Sequence, residues 1–378
     1  MRVAIVHEWL DSYAGSERVL EQMLAVLPEA DLFALVDFLP PARRAFLRGK
    51  RPRTSFLQKL PLARRGFRKY LALMPLAVEQ FDLTGYDLVI SSNHAIAKGA
   101  TTGPDQLHLC MCYSPMRYVW DLYHEYLSAS GLTRGPKSWA ARVVLHYLRQ
   151  WDVRASSGVD AYVAISRFIA ERIRKVYRRR SEVIYPPVDV ERFSLRTIKE
   201  DFYLAASRLA PYKRIDLIVQ AFAAMPSRRL VVIGSGPQEA EIRRLARRAG
   251  NVEVLGYQSD EALADHLQRA RGFVFAARED FGILPVEAQA CGTGVIAFGR
   301  GGATETVIAD RTGVFFDEQT PEAVRAAVER YERFGDELSP LEMRKNAERF
   351  GVERFRREFR EYVDRKVRAF ERRRMRGT

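Results

Sequence analysis

Two cations lie close together where a predicted strand gives way to a helix. Arg208 follows the apolar run at 201–206, and Lys213 lies five residues further along the chain. An arginine can bind an anion through two parallel N–H groups, whereas a lysine acts as a compact point charge. The spacing therefore predicts a clamp for a diphosphate, with a solvated surface as the alternative.

A second group of polar residues follows a predicted buried strand at 271–276. Glu279 comes directly after this strand, and Glu287 lies about one turn into a helix that Pro285 opens. The N–H groups and the positive dipole end of that helix favour an anion, and Gly282 permits close approach to the backbone. The two carboxylates can accept hydrogen bonds from sugar or ribose hydroxyls, or can serve only as charges at a helix terminus.

Three glycine turns accompany these side chains. They are Gly234-Ser-Gly236, Gly301-Gly302 with Glu305 behind it, and Gly15-Ser16 at the start of the first predicted helix. The first turn is similar to the start of a dinucleotide-binding fingerprint, but Glu239 occupies the third glycine position, which weakens a nicotinamide interpretation. The amides of Gly15 and Ser16 lie where a helix N-terminus could reach a phosphate.

Predicted strands and helices alternate along nearly the whole chain. Apolar runs predict strands near 2–6, 31–36, 86–91, 107–112, 160–164 and 182–185, and then near 201–206, 229–233, 252–255, 271–276, 294–297 and 313–316. Helical patterns separate most of them, which predicts an α/β chain with doubly wound parallel sheets. Two prolines at 186–187 stop regular structure between the two series. We expect one domain over 1–187 and another over 188–351, with a helix over 352–378 that packs back toward the first domain.

The composition excludes several classes of protein. The chain has 378 residues, of which 47% are hydrophobic and 29% charged, so it is neither intrinsically disordered nor a disulfide-stapled miniprotein. Three cysteines give no disulfide framework, and no apolar stretch reaches the ~20 residues of a membrane span. A strand-like segment at the N-terminus and the lack of a signal peptide predict a cytoplasmic protein.

The formal net charge of +14 predicts an anionic partner, such as nucleic acid, an anionic membrane or a phosphorylated ligand. A basic segment over 38–74 contains no acidic residue and carries eleven cations. Apolar residues are interleaved with them: Phe46, Leu47, Phe56, Leu57, Leu60, Phe67 and Leu71. This pattern predicts a contact with an anionic membrane, in which the apolar residues turn toward the acyl chains; a solvated basic face is the alternative.

Taken in order, the motifs around Arg208, Gly234, Glu279 and Gly301 resemble those of the retaining glycosyltransferases of family 4. The resemblance covers nearly the whole chain and implies the GT-B fold, in which two Rossmann-like domains face a central cleft. The segments 87–99, 115–121, 165–168 and 185–189 are similar to the bacterial polysaccharide mannosyltransferase branch of that family.

The resemblance also implies roles for individual residues. Arg208 and Lys213 would bind the donor diphosphate, Glu279 would contact hydroxyls of the donor sugar, and Glu287 would hold the ribose. The remaining residues of the implied donor site are Gly15, Ser16, Gly234, Gly236, Phe281, Gly282, Ile283, Gly302 and Glu305. Tyr113 and Arg117 are assigned to the acceptor region.

One position departs from the pattern of the family. Members commonly carry a histidine before the Ser-Pro of this region, and here the residue is Tyr113. His94 is the nearest remaining histidine and becomes a candidate catalytic residue, although a packing role would equally explain it. Gly294 stands where proline is common, and we expect an effect on the turn alone.

The implied reaction moves a sugar from a nucleotide diphosphate sugar with retention of configuration. GDP-mannose is the favoured donor, a UDP-sugar the alternative, and a lipid-diphosphate-linked oligosaccharide the expected acceptor, in surface polysaccharide biosynthesis at the inner face of the cell membrane. We expect no resident cofactor, no nucleic acid partner and, since the sequence has no Asp-x-Asp pair, no metal. Two further functions stay open on the sequence: a basic nucleic-acid-binding protein on a transferase-like scaffold, and a GT-B epimerase or phosphorylase.

Overall fold

The computed structural model describes the backbone of residues 1–334 and 337–377. Backbone contacts divide the chain into two units. Unit 1 comprises Met1–Pro186 and Phe355–Thr378, and unit 2 comprises Pro187–Arg354. The contacts thus divide the chain after Pro186, whereas the sequence analysis places the boundary after Pro187.

Unit 1 is built on a parallel sheet of seven described strands. Their bounds are β1 Val3–Leu10, β2 Asp31–Asp37, β3 Arg53–Thr54, β4 Leu88–Asn93, β5 Leu107–Cys112, β6 Ala161–Ala164 and β7 Ser181–Val183. The strand order is β3-β2-β1-β4-β5-β6-β7. Residues on both faces of β1, β4 and β5 are buried, which explains why these strands read as continuous apolar runs.

Helices connect the strands of unit 1. Their bounds are α1 Gly15–Val26, α2 Ala63–Gly66, α3 Met74–Glu79, α4 Tyr123–Ala129, α5 Pro136–Ser156 and α6 Arg167–Tyr177. Successive parallel strands start at the same end of the sheet. The chain must therefore run back along the sheet between them, and a helix usually forms this connection. The segments that leave the carboxyl ends of β1, β4 and β5 therefore meet at one edge of the sheet.

Unit 2 has a parallel sheet of six described strands in the order β10-β9-β8-β11-β12-β13. These are β8 Glu200–Ala206, β9 Leu230–Ile233, β10 Val252–Gly256, β11 Ala270–Phe275, β12 Gly294–Phe298 and β13 Gly313–Phe316. The helices are α7 Ile215–Ala223, α8 Glu239–Ala246, α9 Asp260–Arg269, α10 Ile283–Ala290, α11 Ala303–Thr306, α12 Pro321–Phe334 and α13 Pro340–Glu348. The predicted class, α/β with two doubly wound parallel sheets, is confirmed.

The last helix, α14 Val352–Gly377, lies in unit 1 for most of its length. Its residues Phe355, Phe359, Tyr362 and Val363 are at most 1% exposed. Their spacing of four, three and one residues places them on one face of the helix, which fills part of the core of unit 1. The Nε atom of Arg356 also donates to Gln22 Oε1 at 2.8 Å, which joins α14 to α1.

The basic segment 38–74 folds into short 3₁₀ turns, β3 and α2. Its apolar residues face inward: Phe46, Leu47, Leu57 and Phe67 are buried, while Phe56, Leu60 and Leu71 are partly buried. The expectation that these residues turn toward acyl chains is therefore wrong: Leu57, Phe67, Phe56, Leu60 and Leu71 pack in the core of unit 1, and Phe46 and Leu47 are buried as well. The segment exposes two large apolar side chains, those of Leu62 and Leu73, which are 72% and 40% accessible.

Nine of the eleven basic residues in this segment are exposed: Arg43, Arg48, Arg51, Arg53, Lys59, Arg64, Arg65, Arg68 and Lys69. Arg44 forms a bidentate pair with Asp37 at 2.8 and 2.6 Å. The segment thus combines an apolar interior with a cationic outer face. Among the described helices of the chain, none has both the length and the apolar character needed to cross a bilayer.

Candidate functional site

In unit 2, the two predicted cations follow the carboxyl end of β8. Arg208 lies in the loop that directly follows this strand and is exposed, and Lys213 ends a 3₁₀ turn over Pro211–Lys213. The backbone after Lys213 enters α7 through Arg214, whose φ of 55° lies in the left-handed region. This sharp turn keeps both cations at the carboxyl edge of the sheet, where ligands of open parallel sheets bind.

The turn Gly234-Ser-Gly236 supports the loop that carries Arg208. The N–H of Leu209 donates to the carbonyl of Ser235 at 2.9 Å, and the N–H of Ser207 donates to the carbonyl of Ile233 at 3.1 Å. A Cβ atom on Gly234 would lie 1.8 Å from the carbonyl oxygen of Ser207, and one on Gly236 would lie 2.4 Å from that of Leu209. Glycine is required here because two backbone segments touch, so the turn has a structural reason independent of any phosphate.

Glu279 lies beyond the carboxyl end of β11, the neighbour of β8 in the sheet. Its carboxylate forms an ion pair with the Nζ atom of Lys213, and the side chains are 20% and 16% exposed, respectively. The structure therefore brings together two residues that the sequence analysis assigned separately to sugar hydroxyls and to diphosphate. A partly exposed cation and a carboxylate thus lie side by side at the carboxyl edge of the unit 2 sheet.

Helix α10 begins immediately after this loop. Gly282 occupies its N-cap position with a φ of 87°, and Ile283 is its first residue. Phe281 is buried, and Glu287, on the second turn of the helix, is 5% exposed. The first amides of the helix therefore lie beside the carboxyl end of β11, where their partial positive charge favours an anion.

The Gly301-Gly302 turn packs against the same loop from the far side. The N–H of Gly302 donates to the carbonyl of Glu279 at 2.8 Å, and a Cβ atom on Gly302 would lie 2.3 Å from Phe281 Cα. Glu305 follows on α11 and is partly exposed. Gly302 thus holds the backbone of the Glu279 loop in place through a contact that tolerates no side chain.

In unit 1, the loop with Gly15 and Ser16 is fixed by a buried network. The Nε2 atom of His7 lies 3.2 Å from Glu17 Oε1, and Glu17 Oε2 accepts from the N–H of Ala14 at 2.9 Å. Ser16 Oγ also donates to Glu17 at 3.0 Å. The first turn of α1 is thereby tied to β1, and sequence reasoning found neither His7 nor Glu17, because a buried pair has no spacing signature.

Tyr113 belongs to the same network. Its hydroxyl lies 2.8 Å from Ser92 Oγ and donates to the carbonyl of Ser16 at 3.3 Å, while Ser92 Oγ also lies 2.9 Å from His7 Nδ1. Burial raises the pKa of Tyr113 well above its ordinary value. The phenol therefore stays protonated and acts as a hydrogen-bonding support of the Gly15-Ser16 loop.

His94 follows β4 at the carboxyl edge, and its Nδ1 atom lies 2.8 Å from Oε2 of Glu8 on β1. Glu8 is fully buried. The sequence analysis did not identify this residue, because it lies within an apolar strand. Burial alone would raise the pKa of Glu8, but the His94 imidazole and the N–H groups of Ile96 and Ala95 outweigh it and hold the pKa at about 2. His94 thus lies against a permanent carboxylate anion.

Arg117, the other residue assigned to the acceptor region, starts a 3₁₀ turn over Arg117–Val119 and is partly exposed. Within the described residues, no group of three or more histidine, cysteine or acidic side chains is arranged to hold a metal ion. The cysteines Cys110, Cys112 and Cys291 are all buried thiols.

Two family models match consecutive parts of the chain. The model described as Glycosyltransferase Family 4 matches residues 13–192, and the model described as Glycosyl transferases group 1 matches residues 189–350. Together with the two parallel sheets and the motifs at their carboxyl edges, these matches show that the chain belongs to the family 4 glycosyltransferases, with the GT-B fold.

Two curated mannosyltransferases resemble this chain over part of its length. The GDP-mannose-dependent monoacylated alpha-(1-6)-phosphatidylinositol monomannoside mannosyltransferase of Corynebacterium glutamicum is 33% identical over 188 residues, 42% of this chain and 49% of that protein. The GDP-mannose-dependent alpha-(1-6)-phosphatidylinositol monomannoside mannosyltransferase of Mycolicibacterium smegmatis is 28% identical over 205 residues, 46% of this chain and 53% of that protein. The chain thus spans about half the length of the curated relatives it matches.

A solved structure shows the same fold over nearly the whole chain. Sucrose-phosphate synthase from Thermosynechococcus elongatus matches with a TM-score of 0.74 and 19% identity, covering 97% of this chain and 100% of that one. At this identity the likeness concerns the fold alone.

Proposed function

We propose that this protein is a retaining glycosyltransferase that transfers mannose from GDP-mannose to a lipid-linked saccharide. The observation that carries the proposal is the pairing of Lys213 with Glu279 in the loops that follow two adjacent strands, at the sheet edge that also carries the exposed Arg208 and the start of α10. A diphosphate and a sugar require cations and a hydroxyl acceptor side by side, and this edge of unit 2 supplies both.

In the proposed reaction, negative charge develops on the diphosphate as the bond to the sugar breaks. Arg208 and Lys213 stabilise that charge together with the N-terminal amides of α10, and fixed positive groups of this kind lower the barrier. Glu279 accepts hydrogen bonds from the sugar hydroxyls, and Glu287 accepts those of the ribose. Because two cations balance the diphosphate, we propose that transfer needs no metal ion and no resident cofactor.

The names of the two mannosyltransferase relatives support GDP-mannose as the donor. Both also act on a phosphatidylinositol mannoside, as their names state, and this supports a saccharide carried on an anionic lipid as the acceptor class. We propose a lipid-diphosphate-linked oligosaccharide within that class. Its charge complements the net charge of +14 on this chain.

We further propose that the exposed cations of the basic segment contact an anionic membrane surface at the cytoplasmic face, where the acceptor resides. The main apolar contribution comes from Leu62, the most exposed large apolar residue of the segment, while Phe46, Leu47, Leu57 and Phe67 are buried. Leu62 precedes α2 in the left-handed region, with a φ of 58°, and is flanked along the chain by Lys59, Arg64 and Arg65. An exposed apolar tip among cations suits the boundary between headgroups and acyl chains.

Calorimetry without metal tests the donor. GDP-mannose, UDP-glucose and UDP-N-acetylglucosamine are titrated into the wild-type protein and into Glu287→Ala, with Glu253→Ala as a control. Glu253 is an exposed carboxylate on β10, paired with Arg229. We expect selective GDP-mannose binding that weakens only in Glu287→Ala. A preference for a UDP-sugar would overturn the mannosyl assignment, and the absence of all binding would overturn the transferase.

Transfer itself is tested with lipid-linked saccharide acceptors in excess EDTA. NMR of the product determines its anomeric configuration. A product that keeps the configuration of the donor supports a retaining enzyme. Inversion of configuration, or loss of activity that Mn²⁺ restores, would overturn the corresponding part of the proposal. A parallel assay with a phosphatidylinositol mannoside as acceptor shows whether the enzyme uses this lipid or the lipid-diphosphate-linked oligosaccharide.

A further inference from the structure

The Glu8 carboxylate on β1 is enclosed by the backbone that follows β4. Its Oε1 atom accepts from the N–H groups of His94, Ile96 and Ala97 at 3.0, 2.6 and 3.3 Å, and also from that of Ala95. Four successive amides thus converge on one oxygen. Such a nest of N–H groups fixes a carboxylate in its charged form and in one orientation.

The second oxygen of Glu8 faces the imidazole of His94. The distance from Oε2 to Nδ1 is 2.8 Å. An ionised carboxylate has no hydrogen to donate, and two lone pairs at this distance would repel each other, so we infer that the nitrogen facing Oε2 carries the hydrogen. The neutral imidazole is therefore the Nδ1–H tautomer, and its Nε2 atom has an unshared electron pair.

The ring of His94 is held on another side by Trp9. The two ring centroids lie 4.6 Å apart at an interplanar angle of 88°. Trp9 is itself packed on Phe67 of the basic segment at 5.5 Å, and the guanidinium of Arg68 lies 5.5 Å from the Trp9 ring. The His94 side chain nevertheless remains 32% exposed at the carboxyl edge of the unit 1 sheet.

We propose that Glu8 is a positioning residue that holds His94 as the Nδ1–H tautomer, so that Nε2 accepts a hydrogen bond from a hydroxyl group of the saccharide substrate. The inference rests on the proposed transferase function and adds to it a residue that acts only through His94. Acceptance by Nε2 requires the tautomer that the carboxylate imposes, because the other tautomer presents an N–H at that position.

Glu8 also connects β1 to the turn after β4. If this structural role were its only one, replacing Glu8 would lower stability without changing the tautomer of His94. The tautomer separates the two roles. In wild-type protein labelled with ¹⁵N in histidine, we expect NMR to show neutral His94 protonated at Nδ1. In Glu8→Gln, whose amide can donate to Nδ1, we expect protonation at Nε2. The control Glu17→Gln alters the other buried Glu–His pair and should change the signals of His7 while leaving those of His94.

Kinetics complete the test through a double-mutant cycle. Glu8→Gln and His94→Gln should each lower kcat for transfer by up to about 100-fold, as displaced groups do, while GDP-mannose affinity stays within about threefold. In the His94→Gln background, Glu8→Gln should cost nothing further. Losses that multiply, or an Nε2–H tautomer in the wild-type protein, would overturn the role of Glu8. The second result needs no variant, so it stands even if Glu8→Gln does not fold. A wild-type protein that binds no nucleotide sugar would instead overturn the proposed function.

Discussion

Lys213 and Glu279 form an ion pair although 66 positions separate them in the chain. They meet because β8 and β11 are adjacent in the sheet and both residues follow the carboxyl ends of these strands. Each is the counter-ion of the other at an edge that is only partly exposed. A bound diphosphate would replace the carboxylate as the partner of Lys213, and Glu279 would turn to a neutral hydroxyl.

Removal of the Lys213 cation is expected to slow transfer. Lys213→Ala should lower kcat by about 10²–10³-fold, the typical cost of one group that stabilises developing charge. The matched control is Arg229→Ala, which removes an exposed arginine that is also ion-paired, with Glu253 at 2.8 Å. Steady-state kinetics with GDP-mannose measures both. Equal losses in the two variants would show that general charge, and no specific contact, is responsible.

Glu279→Gln separates the two halves of the donor. The variant releases Lys213 from its carboxylate, so GDP alone should bind at least as tightly as to the wild-type protein. GDP-mannose should lose its advantage over GDP, because the sugar hydroxyls lose a charged acceptor. Calorimetry with both ligands measures the difference, and a parallel decrease in both affinities would contradict the assignment of Glu279 to the sugar.

Gly234→Ala tests whether the glycine turn supports Arg208. The new Cβ atom would lie 1.8 Å from the carbonyl oxygen of Ser207, at a φ of 139°. We expect a loss of about 1–3 kcal/mol in stability from the forced displacement, together with weaker donor binding. Gly250→Ala is the control, because no atom lies within 4 Å of its Cβ position and its φ is ordinary. Urea unfolding and calorimetry report the two effects, and unchanged donor binding in Gly234→Ala would contradict the support of Arg208.

The Glu8 carboxylate makes the stability of unit 1 depend on pH. Its pKa is lowered from 4.5 to about 2 in the folded protein. The resulting stabilisation is fully present above the unfolded pKa and is lost as the pH falls from 4.5 through 2. We expect Glu8→Gln to cost about 3 kcal/mol at pH 7 and less at pH 3.5. Urea unfolding at the two pH values measures this, and a cost independent of pH would contradict the ionised carboxylate.

Charge reversal in the basic segment should weaken membrane binding. Arg64, Arg65 and Lys69 are exposed, and each cation near an anionic leaflet contributes about 1 kcal/mol. The triple change to glutamate should therefore reduce sedimentation with anionic liposomes and leave GDP-mannose binding unchanged. The control reverses Arg244, Arg247 and Arg248 of unit 2, which are also exposed. If both triple variants lose binding equally, net charge rather than this segment governs attachment.

The strands were predictable because the strands of parallel sheets are buried on both faces and so appear as apolar runs. The exception is β3, Arg53–Thr54, an exposed edge strand of two residues with no apolar signal. The direction of the apolar residues in the basic segment was not predictable, because short 3₁₀ turns provide too few repeats to define a face.

The residues at the carboxyl edge of unit 2 were found from spacing, but their contacts were not. The contact between Lys213 and Glu279 could not be predicted, because the order of strands along the chain does not determine which strands are neighbours in a parallel sheet. Glu8 was missed for a related reason. Its partners are backbone N–H groups more than 80 residues away, and backbone groups leave no trace in residue types.

The placement of α14 has a consequence for the order of folding during synthesis. Phe355, Phe359 and Tyr362 complete the core of unit 1, yet they are translated after every residue of unit 2. Unit 2 is one continuous segment of the chain, so all of its residues are available before α14 is complete. Unit 1 keeps part of its apolar surface uncovered until α14 emerges, so we expect its nascent sheet to be exposed to aggregation for longer than that of unit 2.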